Sequence, residues 1–392
     1  MNYLSFLVKP ASSLCNLKCP YCFYEDISNR RERPCSGKMK PEIMRKLIDR
    51  AIAETEEDAQ ITFAFQGGEP TLAGLEYYRQ FTEYVCEKKG ARTVRYAIQT
   101  NGTQMDESWA RFFREEDFLV GVSLDGYESN TNRFRVDQEG KGMYAQIMQG
   151  IRLLEQYEVA YNILTVLTPR LAAHPEAYYH FLKDQGFSYV QCIPCLGEFP
   201  EQQQSAVTGN DQELKPEQYA EFYKRFYRLW LDDYVHGDYM SVTLFDNLLL
   251  MLSDRPPQQC GMLGFCTAQL VVEADGSVYP CDFYVLDQYC CGNLQDQTLQ
   301  ELLYSEAMKN FIQEERQIKK ICETCPFWKI CRGGCKRQNG TYLTEEWCGH
   351  REFLMEAYPT LSGSHRHFER LCDYFLKVAE HSWKSRFPAE FL

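Results

Sequence analysis

Residues 4–22 read LSFLVKPASSLCNLKCPYC. The apolar run Leu4 to Val8 has the length and character of a buried strand, and the loop after it carries Cys15, Cys19 and Cys22 in the spacing C-x3-C-x2-C. Three thiolates on one short loop hold three irons of a four-iron cluster and leave the fourth iron open to a small chelating ligand. Inner-sphere contact at that iron lets the cluster pass the ligand one electron. A zinc site is the alternative, because C-x-x-C is common in zinc modules, although a structural zinc normally takes four closely matched ligands.

Working outward, apolar and β-branched runs recur at Ile61 to Phe65, Val94 to Ile98, Phe118 to Leu124, Tyr161 to Leu167 and Tyr189 to Ile193. Helical patterns lie near Pro41 to Ala53, Leu75 to Lys88, Glu107 to Glu115, Tyr144 to Gln156, His174 to Gln185 and Pro216 to Tyr234. Strands alternating with helices predict an α/β fold with a parallel sheet, most simply curved into a partial (β/α)6 TIM-like barrel. Glu198 to Asp211 is polar and reads as a surface loop. From Cys260 the cysteines crowd together, Leu270 to Cys281 reads as a hairpin turning at Asp275-Gly276, and a short helix is expected at Leu299 to Glu314. The division expected is a barrel over 1–235, a small cysteine-rich domain over 236–350 and a helical tail over 351–392. No repeat of solenoid length is present.

The chain has 392 residues, 42 Lys and Arg against 55 Asp and Glu, and a net charge of -13. That balance disfavours a phosphate backbone, so no nucleic acid is expected as partner, and a protein or small molecule is the better substrate class. No run of about 18 apolar residues suggests a membrane span, and Met1 to Val8 lacks the basic and apolar regions of a signal peptide. A cytoplasmic, membrane-free protein is expected. In that reducing compartment, 18 cysteines point to metal binding or catalysis before disulfides.

The cysteine loop, with Tyr21 in the aromatic place before Cys22, resembles that of the radical S-adenosylmethionine superfamily. The resemblance implies an iron-sulfur cluster that binds and reductively cleaves S-adenosylmethionine. It also implies that Gln66, Gly67, Gly68 and Glu69, in a segment like the superfamily's GGEP loop, receive the methionine ammonium through backbone carbonyl and carboxylate acceptors. Ser123 resembles the family's cofactor-binding serine, Arg135 is expected to pair with the methionine carboxylate through its planar fork, and Leu196 to border the adenine. A loop at a strand's C-terminal end is where barrel enzymes build sites. For Asn101, Asp125 and Asn162 a turn or capping role is equally compatible with the sequence.

Farther on, Cys260, Cys266, Cys281, Cys322, Cys325, Cys331, Cys335 and Cys348 are enough to close two four-iron clusters; a pair of zinc ribbons is the alternative. The compound spacing resembles the SPASM domain. By that resemblance Cys260, Cys266, Cys281 and Cys335 hold one auxiliary cluster and Cys322, Cys325, Cys331 and Cys348 the other. The other seven cysteines read as small buried hydrophobes, and the histidines have no ligand spacing.

Longer stretches, LVKPASSLCNLKCPYCFY, FAFQGGEPTLAG, QTNGT, SLDG, VVEADGSVYPCDFYVLD and CGNLQD, together resemble the anaerobic sulfatase-maturating enzymes. This implies three 4Fe-4S clusters, S-adenosylmethionine, an unfolded sulfatase polypeptide as substrate, and an electron donor such as flavodoxin or ferredoxin. The implied reaction oxidises a cysteine or serine to Cα-formylglycine after a 5'-deoxyadenosyl radical removes a Cβ hydrogen. Asp282, next to Cys281, resembles the family's catalytic aspartate and suits a general base; a hydrogen-bond acceptor beside a cluster is its alternative. Tyr24 and Gln66 are expected to contact the peptide, though Tyr24 equally suits the core. The sequence departs from the family at Tyr127 and Thr131, where a Pro and a His often stand. The rival expectation is a SPASM maturase that forms a thioether or another crosslink in a ribosomal peptide; Asp282, and the absence of an added N-terminal recognition domain, favour formylglycine.

Overall fold

The computed structural model describes residues 1–199 and 212–363. Most of the expected polar loop and the tail beyond residue 363 lie outside the described residues. In chain order the strands are β1 (Tyr3–Val8), β2 (Gln60–Phe65), β3 (Thr93–Thr100), β4 (Leu119–Ser123), β5 (Tyr161–Leu167), β6 (Tyr189–Pro194), β7 (Ser241–Val242), β8 (Leu270–Val272), β9 (Ser277–Tyr279) and β10 (Gly292–Asn293). The chain divides into two compact units that do not follow its order. The first holds Met1–Thr165, residues 198–199 and Thr267–Glu315; the second holds Val166–Gly197, 212–266 and 316–363.

In the first unit the sheet runs β10-β9-β8-β1-β2-β3-β4-β5. Strands β1 to β5 are parallel to one another, with Leu4 opposite Ile61 and Phe63 opposite Tyr96. Alternation places Leu4, Phe6 and Val8 of β1 inward, as the period of two requires. Helices α1 (Phe23–Ser28), α2 (Pro41–Ala53), α3 (Leu75–Lys88), α4 (Glu107–Glu115), α5 (Glu128–Phe134) and α6 (Tyr144–Gln156) follow these strands. α2 shows why: Pro41 sits in its first turn, where a missing N–H costs nothing, and Ile43, Met44, Leu47, Ile48 and Ala51 form one buried stripe. Phe63 lies against Phe6 at 5.4 Å and Phe81 at 4.9 Å, and Phe65 meets Tyr78 at 5.0 Å, which makes an aromatic core.

The expected hairpin is present, and its β8 lies parallel beside β1, with Phe6 opposite Leu270 and Val8 opposite Val272. Gly276 takes φ +86 at the turn, a conformation costly for a side-chain-bearing residue. The single helix expected over Leu299 to Glu314 is instead two, Leu299–Leu303 and Glu306–Gln313. Ser305 separates them because its hydroxyl accepts from Met308 N at 3.2 Å and starts the second.

In the second unit β6 pairs in parallel with β7. Its core is aromatic: Phe222 and Phe226 stack at 5.2 Å, Tyr178 joins Phe226 at 5.8 Å, and Phe245 packs on Trp230 at 5.1 Å and Phe353 at 5.8 Å. Among the described residues no helix is long and apolar enough to cross a membrane.

Candidate functional site

The loop from β1 to α1 carries Cys15, Cys19 and Cys22, and its backbone is pinned from neighbouring elements. Asn16 Nδ2 donates to Thr103 Oγ1 at 2.8 Å, Asn101 Nδ2 donates to Asn16 Oδ1 at 2.9 Å, and Lys18 N donates to Val136 O at 2.8 Å. Cys22 stands at the N-cap position of α1. The three thiols are close enough that charge on one raises the pKa of another. Loss of water contact pushes Cys15 and Cys19 up to about 12, although Cys15 keeps an exposed edge. These thiols therefore hold their protons in the metal-free chain, and binding iron displaces them. A thiol-only donor set of three fits a four-iron cluster with one open iron.

The loop after β2 rests on this one. Gly68 N donates to Ser12 O at 2.9 Å and Glu69 N to Leu14 O at 2.7 Å. A Cβ on Gly68 would lie 2.2 Å from Leu14 O, so only glycine permits the approach. Glu69 is buried, and its carboxylate already accepts from Thr71 N at 3.0 Å, Thr71 Oγ1 at 2.6 Å, Thr100 Oγ1 at 2.7 Å and Asn101 N at 2.7 Å. These four hydrogen bonds tie the ends of β2 and β3 together through Glu69. Burial raises its pKa while the hydrogen bonds from Asn101, Thr71 and Thr100 oppose that shift.

Arg135, expected to reach a ligand carboxylate, donates from Nη2 to Asp125 Oδ1 at 3.0 Å, and Tyr21 OH donates to Asp125 Oδ2. All three side chains are buried, and a buried cation needs such a counterion. Arg135 Nε is buried without a partner among the described residues. Ser123, at the end of β4, accepts from Gln99 Nε2 at 3.1 Å. Leu196 is buried in the second unit.

Asp282 follows β9 and is gripped at both oxygens. Lys9 Nζ donates to Oδ1 at 2.5 Å and Gln66 Nε2 to Oδ2 at 2.8 Å. Lys9 Nζ also stands 3.8 Å from the centre of the Tyr24 ring, a cation over an aromatic face. Tyr24 is buried; its hydroxyl donates to Glu273 Oε1, which also accepts from Arg31 Nη1 at 2.8 Å. Burial, then the Glu273 charge, lift the Tyr24 pKa well above the usual phenol value, so it stays neutral.

In the second unit Cys322, Cys325, Cys331 and Cys348 line one cavity with Trp328 and Tyr342. Cys331 is pushed up to about 11 by burial and by the other three thiols, against a backbone hydrogen bond from Gly333. Cys348 Sγ accepts from Arg351 N at 3.3 Å. Among the described residues no group of three or more His, Cys, Asp or Glu side chains stands as a bound metal ion would need. Cys260 and Cys266 belong to the same unit, where the turn at Gly261 lies against Cys335, while Cys281 belongs to the first.

Sequence reading missed Lys9, Arg31 and Glu273. The signal available was a charge placed directly after an apolar strand, as in LVKP and LVVE. Such a charge is buried only if it is paired, and the pairing joins residues far apart in the chain.

Comparison with known proteins matches residues 10–182 to the Radical SAM superfamily and residues 264–326 to the SPASM iron-sulfur cluster-binding domain. A cysteine-type anaerobic sulfatase-maturating enzyme of Clostridium novyi (strain NT) is 44% identical, covering 86% of this chain and 89% of that one. A serine-type anaerobic sulfatase-maturating enzyme of Bacteroides thetaiotaomicron is 29% identical over 99% of this chain and 94% of that one. A solved structure described as native anSMEcpe with bound AdoMet and Kp18Cys peptide superposes with a TM-score of 0.84 at 37% identity, covering 93% of this chain and 99% of that one. The fold is thus a radical SAM TIM-like α/β fold with a SPASM domain.

Proposed function

The chain belongs to the anaerobic sulfatase-maturating enzymes, and from that premise we propose that it oxidises a cysteine in an unfolded sulfatase segment to Cα-formylglycine. The greater likeness to a cysteine-type relative favours cysteine over serine. Its cofactors are three 4Fe-4S clusters and S-adenosylmethionine, which when bound supply the 5'-deoxyadenosyl radical and an outlet for one electron. The substrate gives up one Cβ hydrogen atom, one thiol proton and one electron, leaving a thioaldehyde that water converts to the aldehyde with loss of sulfide.

In this reading Cys15, Cys19 and Cys22 hold the cluster that binds S-adenosylmethionine. Cys260, Cys266, Cys281 and Cys335 hold one auxiliary cluster, and Cys322, Cys325, Cys331 and Cys348 the other. Tyr21, Gln66, Gly67, Gly68, Glu69, Ser123, Arg135 and Leu196 serve the cofactor, while Tyr24 and Gln66 serve the peptide. Asp282 takes the thiol proton, with Gln66 between it and the cofactor loop. The barrel portion is 1–235 and the auxiliary-cluster portion 236–350. The protein works in the cytoplasm, with a flavodoxin or ferredoxin as reductant.

One observation carries the reading. The Gln66–Glu69 segment touches both chemistries, through Gly68 N and Glu69 N on the cysteine loop and through Gln66 on the Asp282 carboxylate. Anaerobic incubation of cluster-loaded enzyme with reductant, S-adenosylmethionine and a cysteine-bearing sulfatase peptide is the test. A peptide mass loss of about 18 units, matched by 5'-deoxyadenosine, is expected; the serine peptide would lose about 2. Deoxyadenosine without peptide oxidation would refute the substrate assignment.

A further inference from the structure

We propose that Lys9 is a positioning residue for this oxidation: its ammonium fixes the Asp282 carboxylate so that proton removal keeps pace with hydrogen abstraction. The proposal rests on Asp282 being the base. Lys9 is the residue after β1, its N–H donates to Val272 O at 2.8 Å, and its side chain is fully buried. The stem runs beside Gly67, where a Cβ would sit 3.4 Å from Lys9 Cβ. From there Nζ reaches Asp282 Oδ1 and the Tyr24 face at once.

A buried ammonium has strong reasons to stay where its counterion is, so Lys9 anchors one carboxylate oxygen while Gln66 anchors the other. The Asp282 side chain remains 14% exposed, which leaves it an open side. Two anchors fix the plane of the carboxylate, and a fixed acceptor is what fast proton transfer needs. In the step concerned, the substrate S–H bond breaks, its proton passes to Asp282 and the C–S bond becomes double; the auxiliary clusters, when bound, would supply the outlet for the one electron left over. The ring of Tyr24, whose hydroxyl is held by Glu273, stands 3.8 Å from the Lys9 ammonium and steadies it. Glu273 and Arg31 balance each other, so the Lys9–Asp282 pair keeps its own balance.

Lys9→Met retains the stem and removes the charge. Aldehyde formation is expected to fall by about tenfold to a hundredfold, while deoxyadenosine formation falls less, so that deoxyadenosine per aldehyde rises by about tenfold. Lys9→Arg, which keeps the charge and the donors, should restore much of the coupling. In an Asp282→Asn background Lys9→Met should add nothing further. Iron and sulfide content and the visible absorption of each variant show that its clusters are loaded. If Lys9→Met failed to load them, Lys9→Gln, with a donor but no charge, would be read the same way. A loaded Lys9 variant with the wild-type ratio of deoxyadenosine to aldehyde overturns the role of Lys9. Wild-type aldehyde formation by Asp282→Asn overturns the base assignment itself.

Discussion

Replacing Gly68 with alanine puts the packing of the two cofactor loops to a direct test. The added Cβ would lie 2.2 Å from Leu14 O and 2.7 Å from the carbonyl carbons of Ser13 and Leu14. A comfortable carbon–oxygen contact is about 3.3 Å, so one backbone must retreat by about 1 Å, and no flexible side chain is there to yield. The retreat breaks the hydrogen bonds from Gly68 N and Glu69 N to the cysteine loop, a loss of about 1 kcal/mol each. Misplacement on this scale costs on the order of a hundredfold in rate. Cluster-loaded Gly68→Ala should therefore make deoxyadenosine about a hundred times more slowly than wild type, with both auxiliary clusters intact by iron content. Gly340→Ala, whose Cβ meets nothing within 4 Å, is the silent control. Cofactor cleavage by Gly68→Ala within about twofold of wild type would refute the steric argument, since it would show that the loops tolerate a 1 Å separation.

Three further outcomes are expected. Cys348→Ser should lower iron from about twelve to about eight per chain, measured colorimetrically; loss of the cofactor-binding cluster as well would contradict independent sites. In the metal-free chain iodoacetamide should label Cys35 before Cys15 and Cys19, as read by peptide mapping between pH 7 and 9. At Cys35 burial pushes the thiol up, but hydrogen bonds from Ser13, Gly37 and Ser12 together bring it below its usual value, whereas burial holds Cys15 and Cys19 near 12 and only thiolates react. Burial also pushes Asp246 up to about 7, against the hydrogen bonds from Ser241 and Tyr239. Its folded form holds the proton more tightly than the unfolded chain, so the stability it contributes is full below about pH 4 and lost as pH rises through about 7, by up to about 4 kcal/mol. Denaturant midpoints of wild type should fall across that window relative to Asp246→Asn; parallel curves would contradict the assignment.

Sequence periodicity alone places β1 to β6 and the longer helices, among them α2, α3, α4 and α6, but not β7, β10, α1 or α5; β1 to β6 are buried apolar runs and α2 carries its stripe and its Pro41 in plain view. The cysteine spacings were equally legible, being set by short loops. What escaped reading was whatever depends on partners distant in sequence. The hydrogen bonds that Thr100 and Asn101 give Glu69 join two strands and are visible in neither alone. The Asp125 partner of Arg135 stands ten residues back in the chain and is not announced by it. Lys9 becomes informative only when Asp282 is brought to it. The break at Ser305 was missed because one hydroxyl cap interrupts an otherwise continuous apolar pattern. The compact units also interleave along the chain, which local composition does not encode.

The parallel seat of β8 beside β1 sets a schedule for synthesis. The strand that covers the outer side of β1 emerges about 260 residues after it. At about 5–20 residues per second, the ribosome leaves that hydrogen-bonding edge bare for on the order of tens of seconds. An open edge is a template for pairing with other chains, so the newborn protein passes through a long interval in which a chaperone, or slow accumulation of neighbours, decides between folding and aggregation. Slower growth temperatures or co-expressed holdases should therefore raise the soluble yield more than any change to the finished surface.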